Sequence, residues 1–211
     1  MVIDMCNQTQ SYPRTEPIPQ PIRTIEEVND ILLASANQQG LMGPEENLMD
    51  IIAEDEATMA RLGITHKQMS DQMSYLLFSA RAKRNTARYR MREEKLGWSE
   101  KKKRTREIKE TYFQIGEFSV KVFSRLDTLP CPWDGASFNT EESAIVLNTR
   151  TATEMHYSGE NIHAIEKHHF YGGKQATDFI YGKPLARRVD PAHAAMTLNI
   201  LPGVDYSHKK E

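Results

Sequence analysis

The spacing of apolar residues predicts three amphipathic helices in the first half of the chain. One stripe begins at Ile25 behind Thr24, and Pro44 with two following glutamates suits the first turn of a second helix that stops at Gly63. Thr65 is a suitable N-cap for the third helix, which has the clearest apolar face in the chain. The residues of that face are Met69, Met73, Leu76, Leu77 and Ala80.

The corner between the second and third helices, residues 62–73, has the outline of a helix-turn-helix. Gly63 suits the turn, but Met59 is large where close helix crossing needs a small residue, and Gln72 is polar where the motif uses an apolar one. Lys67 is the only cation in the first turns of the third helix, and the second helix, which precedes it, is acidic. Because DNA phosphates would be repelled, a plain helix corner is favoured over DNA recognition.

The apolar period changes from helical to alternating after residue 113. Alternation over 118–122 and a branched apolar run at 144–147 predict two strands, and 154–157 predicts a short third strand. Two further helices are predicted, one over 160–170 closed by two glycines and one opened by Asp190 and proline. The predicted fold class is therefore α+β. It has a helical N-terminal half, and its C-terminal half carries a small antiparallel or mixed sheet with two helices.

The chain divides into three regions by composition. Residues 1–23 contain four prolines and few large apolar side chains, so they are expected to form an extended tail. Residues 24–114 form the helical region, which contains a basic segment at 81–110, and residues 115–211 form the small α+β region. The last two regions are expected to be separate units or one continuous domain. Gly97 breaks the basic segment, and Ser99 is a plausible cap for the helix that follows.

Composition is that of a folded chain in a reducing compartment. The chain is 39% hydrophobic, which is enough to bury a core, and it has only two cysteines, Cys6 and Cys131, so a disulfide framework is not expected. No apolar run is long enough to cross a bilayer, and the first residues lack the apolar core of a secretory signal. A soluble cytoplasmic protein that does not contact membranes is expected.

Charge is distributed unevenly along the chain. Residues 1–80 hold four Lys and Arg against twelve Asp and Glu, whereas residues 81–110 hold thirteen Lys and Arg against five Glu. Charge asymmetry of this kind indicates a contact with nucleic acid, or with an acidic helix of the same protein or of a partner subunit. Tyr89 and Trp98 are interleaved with the cations, as in single-strand binding surfaces. The candidate nucleic-acid-binding residues are Arg84, Arg88, Lys101, Lys102 and Lys103.

A second candidate site lies in residues 131–173, which contain one cysteine and four histidines. Cys131, His163 and His168 are candidate zinc ligands, although no CxxC or HExxH is present and the two histidines lie about 140° apart on a helix. Cys131 and His163 are also a candidate nucleophile and general base, but the prolines flanking the cysteine furnish no oxyanion hole. The competing interpretation is structural, with Cys131 in the core and the histidines making local hydrogen bonds.

The sequence favours a non-catalytic interaction or regulatory protein that associates with a protein partner or with itself. One alternative is a metal-dependent or cysteine hydrolase centred on Cys131 and His163, and another is a nucleic-acid-binding protein acting through 81–110. Phosphate-binding loops and dinucleotide fingerprints are absent. No cofactor is predicted apart from the possible zinc ion.

Overall fold

The computed structural model describes residues 23–34, 41–124, 131–135, 142–174, 177–180, 183–186 and 188–207. Its helices lie mostly in the N-terminal half and its sheet in the C-terminal half, so the predicted α+β class is confirmed. The predicted tail, apart from Arg23, lies outside the described residues. The helices are α1 (Ile25–Ala34), α2 (Leu48–Leu62), α3 (His66–Glu93), α4 (Trp98–Glu110), α5 (Gly159–His168) and α6 (Pro191–Thr197). The strands are β1 (Phe113–Ile115), β2 (Phe118–Ser124), β3 (Glu142–Asn148), β4 (Thr153–Ser158), β5 (Thr177–Ile180) and β6 (Lys183–Ala186).

Four strands form an antiparallel sheet in the order β1-β2-β3-β4, and β5 pairs with β6 in a separate two-stranded ladder. The register places Val120 opposite Val146, which in turn lies opposite Met155. Because side chains alternate between the two faces of a strand, this register lines up three apolar residues on one face. All three are buried against α3 and its neighbours.

Local capping chemistry sets most helix ends. The side chain of Thr65 accepts from the backbone N–H of Gln68, whose side chain accepts in return from the N–H of Thr65. Gly63 ends α2 in the left-handed conformation at φ 68°. Ser158 caps α5, and Asp190 caps α6 as predicted.

Three predicted helix ends differ from the structure. Residues 43–46 form a turn and α2 starts at Leu48, because Asn47 caps its first N–H groups. Helix α4 starts at Trp98 after Gly97, without a side-chain cap, so Ser99 already lies inside the helix. Helix α5 ends at His168, because His169 takes the left-handed conformation ahead of the glycines.

Two hydrophobic cores hold the elements together. The larger core packs the apolar face of α3 against the sheet, α5 and α6, with Leu76 fully buried. The smaller core joins α1 and α2 to Cys131, Trp133 and Phe170. Arg23 ties the start of the described chain to this second core, since its Nη1 donates to the carbonyl of Pro132 at 2.6 Å.

The corner between α2 and α3 is covered by the C-terminal segment. Met59 and Gln72 are buried, and Gln68 donates to the carbonyls of Leu201 and Val204. Lys67 is paired with Asp71 at 2.7 Å. The first turns of α3 therefore pack within the protein, and they do not form a free DNA-recognition surface.

Among the helices that the structure describes, none is both long enough and apolar enough to span a membrane.

Candidate metal centre

Four side chains with metal-ligating atoms converge at the C-terminal end of α5. Cys131 and Asp134 come from the turn at 131–135, in which the N–H of Gly135 donates to the carbonyl of Cys131 at 2.9 Å. His163 and His168 come from α5. The ligand atoms of all four residues lie within 4.8 Å of one another. The structure thus brings together the three residues proposed from the sequence as zinc ligands, and it adds Asp134.

The distances between these atoms fit a tetrahedral ion. Asp134 Oδ2 lies 3.2 Å from His163 Nε2 and 3.5 Å from His168 Nε2, and Cys131 Sγ lies 3.4 Å from His168 Nε2. Zinc binds nitrogen and oxygen at about 2.0–2.1 Å and sulfur at about 2.3 Å, so the edges of its tetrahedron are about 3.3 Å between N and O and about 3.6 Å between N and S. These three of the six separations are close to the tetrahedral edges, and the other three lie within 4.8 Å, so one ion can reach every ligand after modest side-chain adjustment.

A small residue lies between the two histidines on the helix surface. His163 and His168 are about 140° apart around α5, with Ala164 on the surface between them. The methyl group of Ala164 leaves room for both imidazoles to swing inward, and their ring centroids are 5.2 Å apart at an interplanar angle of 65°. The spacing that looked unsuitable on a helical projection is therefore compatible with a shared ion, because the ligand atoms stand at the ends of long side chains.

Surrounding groups orient the ligands. The ring of Trp133 is stacked on that of His168, with centroids 4.7 Å apart and planes within 6°. The backbone N–H groups of Trp133 and Asp134 donate to the sulfur of Cys131, which favours its thiolate form. Outer contacts of this kind fix ligand geometry in metal sites.

The protonation states of Cys131 and His168 argue against a cysteine nucleophile. Burial raises the pKa of Cys131 to about 11, against the opposing effect of the two backbone hydrogen bonds. Burial, together with the neighbouring His163, lowers the pKa of His168, so its imidazole is neutral near pH 7. The free thiol is therefore protonated at neutral pH, whereas nucleophilic attack requires the thiolate.

The cavity that contacts Cys131 is small. It measures about 40 Å³, and Cys131, His163, Trp133 and Phe170 contribute to its walls. Substrate pockets generally measure about 300–1,000 Å³, whereas this volume admits only a water molecule or a similarly small group. A wider and more open groove of about 780 Å³ runs along α3 and contacts the centre at His163.

A second group of ligating residues, Glu56, His66 and His169, lies across α2, α3 and the end of α5. The rings of His66 and His169 are stacked with centroids 3.9 Å apart, and the Glu56 carboxylate contacts both, at 3.1 and 2.7 Å. The other nitrogen of His66 lies 3.0 Å from the Tyr171 hydroxyl. Because the two rings are stacked and nearly parallel, their nitrogen lone pairs do not converge on one ion. We therefore interpret this group as a hydrogen-bond network and not as a metal site.

The remaining histidine considered with this region lies elsewhere. His156 is on β4, with its ring stacked on Phe123 at 5.5 Å, and it is outside both groups. Sequence reasoning missed Asp134, although its position three residues after Cys131 is the spacing of a CxxC motif with a carboxylate in the second place. It also missed Glu56 and His66, which contact each other and whose further partners, His169 and Tyr171, are more than 100 residues away.

The basic segment is divided between buried and exposed cations. Arg84 is 4% exposed, pairs with Glu142 and donates to the carbonyl of Val122, so it is removed from the candidate nucleic-acid surface. Arg88 is half-buried near the end of α3. The three remaining candidates, Lys101, Lys102 and Lys103, are exposed on α4.

No protein-family model matches this chain, and neither the curated proteins nor the solved structures contain a match to it.

Proposed function

We propose that this protein is a non-catalytic zinc-binding protein in which the ion fastens the 131–135 turn to the end of α5. The convergence of Cys131, Asp134, His163 and His168 at separations close to tetrahedral edges supports this proposal. Cys131 and Trp133 belong to the smaller core, which also contains residues of α1 and α2. An ion at this centre therefore stabilises the contact between the N-terminal helices and the C-terminal region.

The donor set favours zinc over other common ions. Magnesium and calcium prefer oxygen ligands, whereas one sulfur, two imidazole nitrogens and one carboxylate suit a borderline-soft ion with tetrahedral geometry. A metal ion replaces the proton of a coordinating thiol, so the buried Cys131 becomes a thiolate ligand when the ion binds.

The same geometry supports a structural ion over a hydrolytic one. Catalytic zinc keeps a coordination position open for water, whereas four protein ligands close the tetrahedron. The small cavity at Cys131 also supports a structural ion, and the protonated free thiol argues against a cysteine hydrolase. The sequence-based expectation of a protein partner or a homo-oligomer stays a prediction.

The test is metal analysis of the untagged full-length protein, followed by chelation and titration with zinc or cobalt. We expect one zinc ion per chain, a melting temperature that falls on chelation and recovers with zinc, and cobalt absorption typical of a tetrahedral thiolate site. The proposal would be refuted if the protein contained no stoichiometric metal and if added zinc also left its melting temperature unchanged.

Ligand variants test the assignment residue by residue. Cys131→Ser and His163→Ala should each lower zinc affinity by more than the ~10–100-fold typical of an outer-shell change. Asp134→Asn is a second test that avoids disturbing the core, because the Asp134 side chain is one-third exposed. His193→Gln is the matched control, since that histidine is exposed and lies outside the centre. If Asp134→Asn left the zinc affinity unchanged, the ion would have three protein ligands and an open coordination position. That result would favour the hydrolase alternative.

A further inference from the structure

Helix α4 differs from the other helices that the structure describes, because none of its residues is buried. Its Trp98 is 78% exposed, more than any other large hydrophobic side chain in the described residues. Thr105 and Ile108 are half-buried, and the hydroxyl of Thr105 contacts the sulfur of Met91 on α3 at 3.6 Å. The helix contacts the rest of the protein along one edge. Packing against the protein core therefore does not explain the composition of the remaining helix surface.

One side of α4 carries an aromatic and basic stripe, which consists of Trp98, Lys102, Arg106 and Lys109. At 100° per residue the three cations lie within about 80° of Trp98 on the helix surface. The ammonium group of Lys102 lies 5.3 Å from the centroid of the Trp98 ring. A surface groove follows this side of the helix, and all three cations contribute to it. The stripe is therefore a continuous surface in which a cation and an exposed aromatic face are already adjacent.

The acidic residues of α4 lie away from Trp98, although Glu110, one turn after Arg106, is close enough to interact with its charge. Glu100 and Glu107 lie about 160–180° from Trp98 around the helix, and Glu110 is paired with Lys121 of β2 at 2.5 Å. Among the residues that the structure describes, no carboxylate lies within ion-pair distance of Lys102, Arg106 or Lys109. The positive charge of the stripe is consequently available to a partner.

The end of α3 repeats the same chemistry. Tyr89 is 62% exposed, and it lines a shallow surface groove together with Arg88 and Arg92. A short turn at residues 94–97 joins α3 to α4, so two combinations of aromatic and basic side chains occur on one helical hairpin. An acidic partner would account for the cations, but it would not require two exposed aromatic rings beside them.

We propose that the stripe on α4 binds single-stranded nucleic acid, with the cations contacting phosphates and Trp98 stacking on a base. Cations that follow the backbone and aromatic rings on which bases stack are the two components of single-strand recognition. Duplex DNA is a poorer ligand for this surface, because its bases are already stacked and offer no free face to Trp98. This inference depends on different residues from the zinc centre and does not require the ion.

The test is fluorescence anisotropy with the full-length protein and a labelled oligothymidylate or oligouridylate at about 50 mM salt. Binding should weaken with salt, and Lys102→Gln/Arg106→Gln should make the slope of log K against log salt less steep by about 1.4, since each single-strand phosphate contact contributes about 0.7. Trp98→Leu should weaken binding by about 5- to 150-fold, the loss that corresponds to one stacked base, and Trp98→Phe should retain most of the affinity.

The matched control is Lys101→Gln/Arg104→Gln, which removes the same charge from the same helix outside the stripe. Lys101 and Arg104 lie about 60° and 120° from Trp98, on the side away from Lys102 and Arg106, and neither lines the groove. This control variant should change the affinity and the salt slope less than the stripe variant does. Equal effects of the two double variants, or no effect of Trp98→Leu, would overturn the stripe as the binding surface. Absence of binding to either oligonucleotide at low salt, or equal binding of duplex DNA or of polyglutamate, would also overturn the proposal. The two oligonucleotides differ in sugar and in the 5-methyl group of thymine, so an oligodeoxyuridylate is compared with oligouridylate to show whether DNA or RNA is preferred.

Discussion

Replacing Glu142 with alanine is expected to destabilise the protein by about 3–5 kcal/mol, the cost typical of removing one partner of a buried ion pair. The Glu142 carboxylate is 9% exposed and contacts two arginines of α3. Arg84, at 4% side-chain exposure, donates to one carboxylate oxygen, and Nε of Arg81 lies 3.2 Å from the other.

The magnitude follows from what remains after the substitution. Without Glu142, the bond to the Val122 carbonyl, at 3.3 Å, is the only one that the Arg84 guanidinium keeps among the described residues, and its charge stays buried. Arg81 is 36% exposed, so water can solvate it and its contribution is smaller. The penalty is therefore mainly that of one uncompensated buried cation. Arg84→Met with Glu142→Leu removes both charges, and this double variant should lie within about 1–2 kcal/mol of the wild-type protein.

Urea denaturation, followed by circular dichroism and by tryptophan fluorescence, measures these free energies of unfolding. The reasoning requires the single variant Glu142→Ala to be less stable than the double variant. If the effects were additive, the double variant would be less stable than either single variant, Glu142→Ala or Arg84→Met, and this result would refute the reasoning. Arg84→Met should leave oligonucleotide binding unchanged in the folded protein, because this arginine is not at the surface.

Three further predictions concern packing, backbone conformation and pH. Leu76→Ala should cost about 2–5 kcal/mol in free energy of unfolding, because the side chain is fully buried in the larger core; an unchanged urea midpoint would contradict this. Gly63→Ala should cost about 1 kcal/mol, since φ is 68° at that C-cap, whereas Gly97→Ala at φ −66° should be tolerated. Hydrogen bonding from His66, followed by that from His169, lowers the pKa of Glu56 below its usual 4.5, so the folded protein binds fewer protons there than the unfolded chain. The stability that Glu56 contributes is present above pH 4.5 and is lost as the pH falls through the folded pKa. The difference in stability between wild type and Glu56→Gln should therefore shrink in urea titrations below pH 4.5.

The sequence alone determined the elements whose causes are local. Apolar periodicity identified the buried face of α3, and the capping residues Thr65, Gly63 and Asp190 fixed helix ends. Each depends on side-chain and backbone contacts within about four residues, so the sequence pattern and the physical interaction coincide. The α+β class follows from the same local signals, because the change from helical to alternating period is visible along the chain.

Tertiary structure decided which chemically active residues meet. Arg84 belongs to a charged segment that is expected from the sequence to be exposed to solvent. It is nevertheless buried, because Glu142, 58 residues later, lies beside it on β3. Cys131 and Asp134 reach His163 and His168 because the turn at 131–135 packs in the smaller core against the end of α5. Convergence of this kind depends on loop closure and on the packing of distant elements. Residue spacing along a single helix carries no information about what approaches it from elsewhere in the chain.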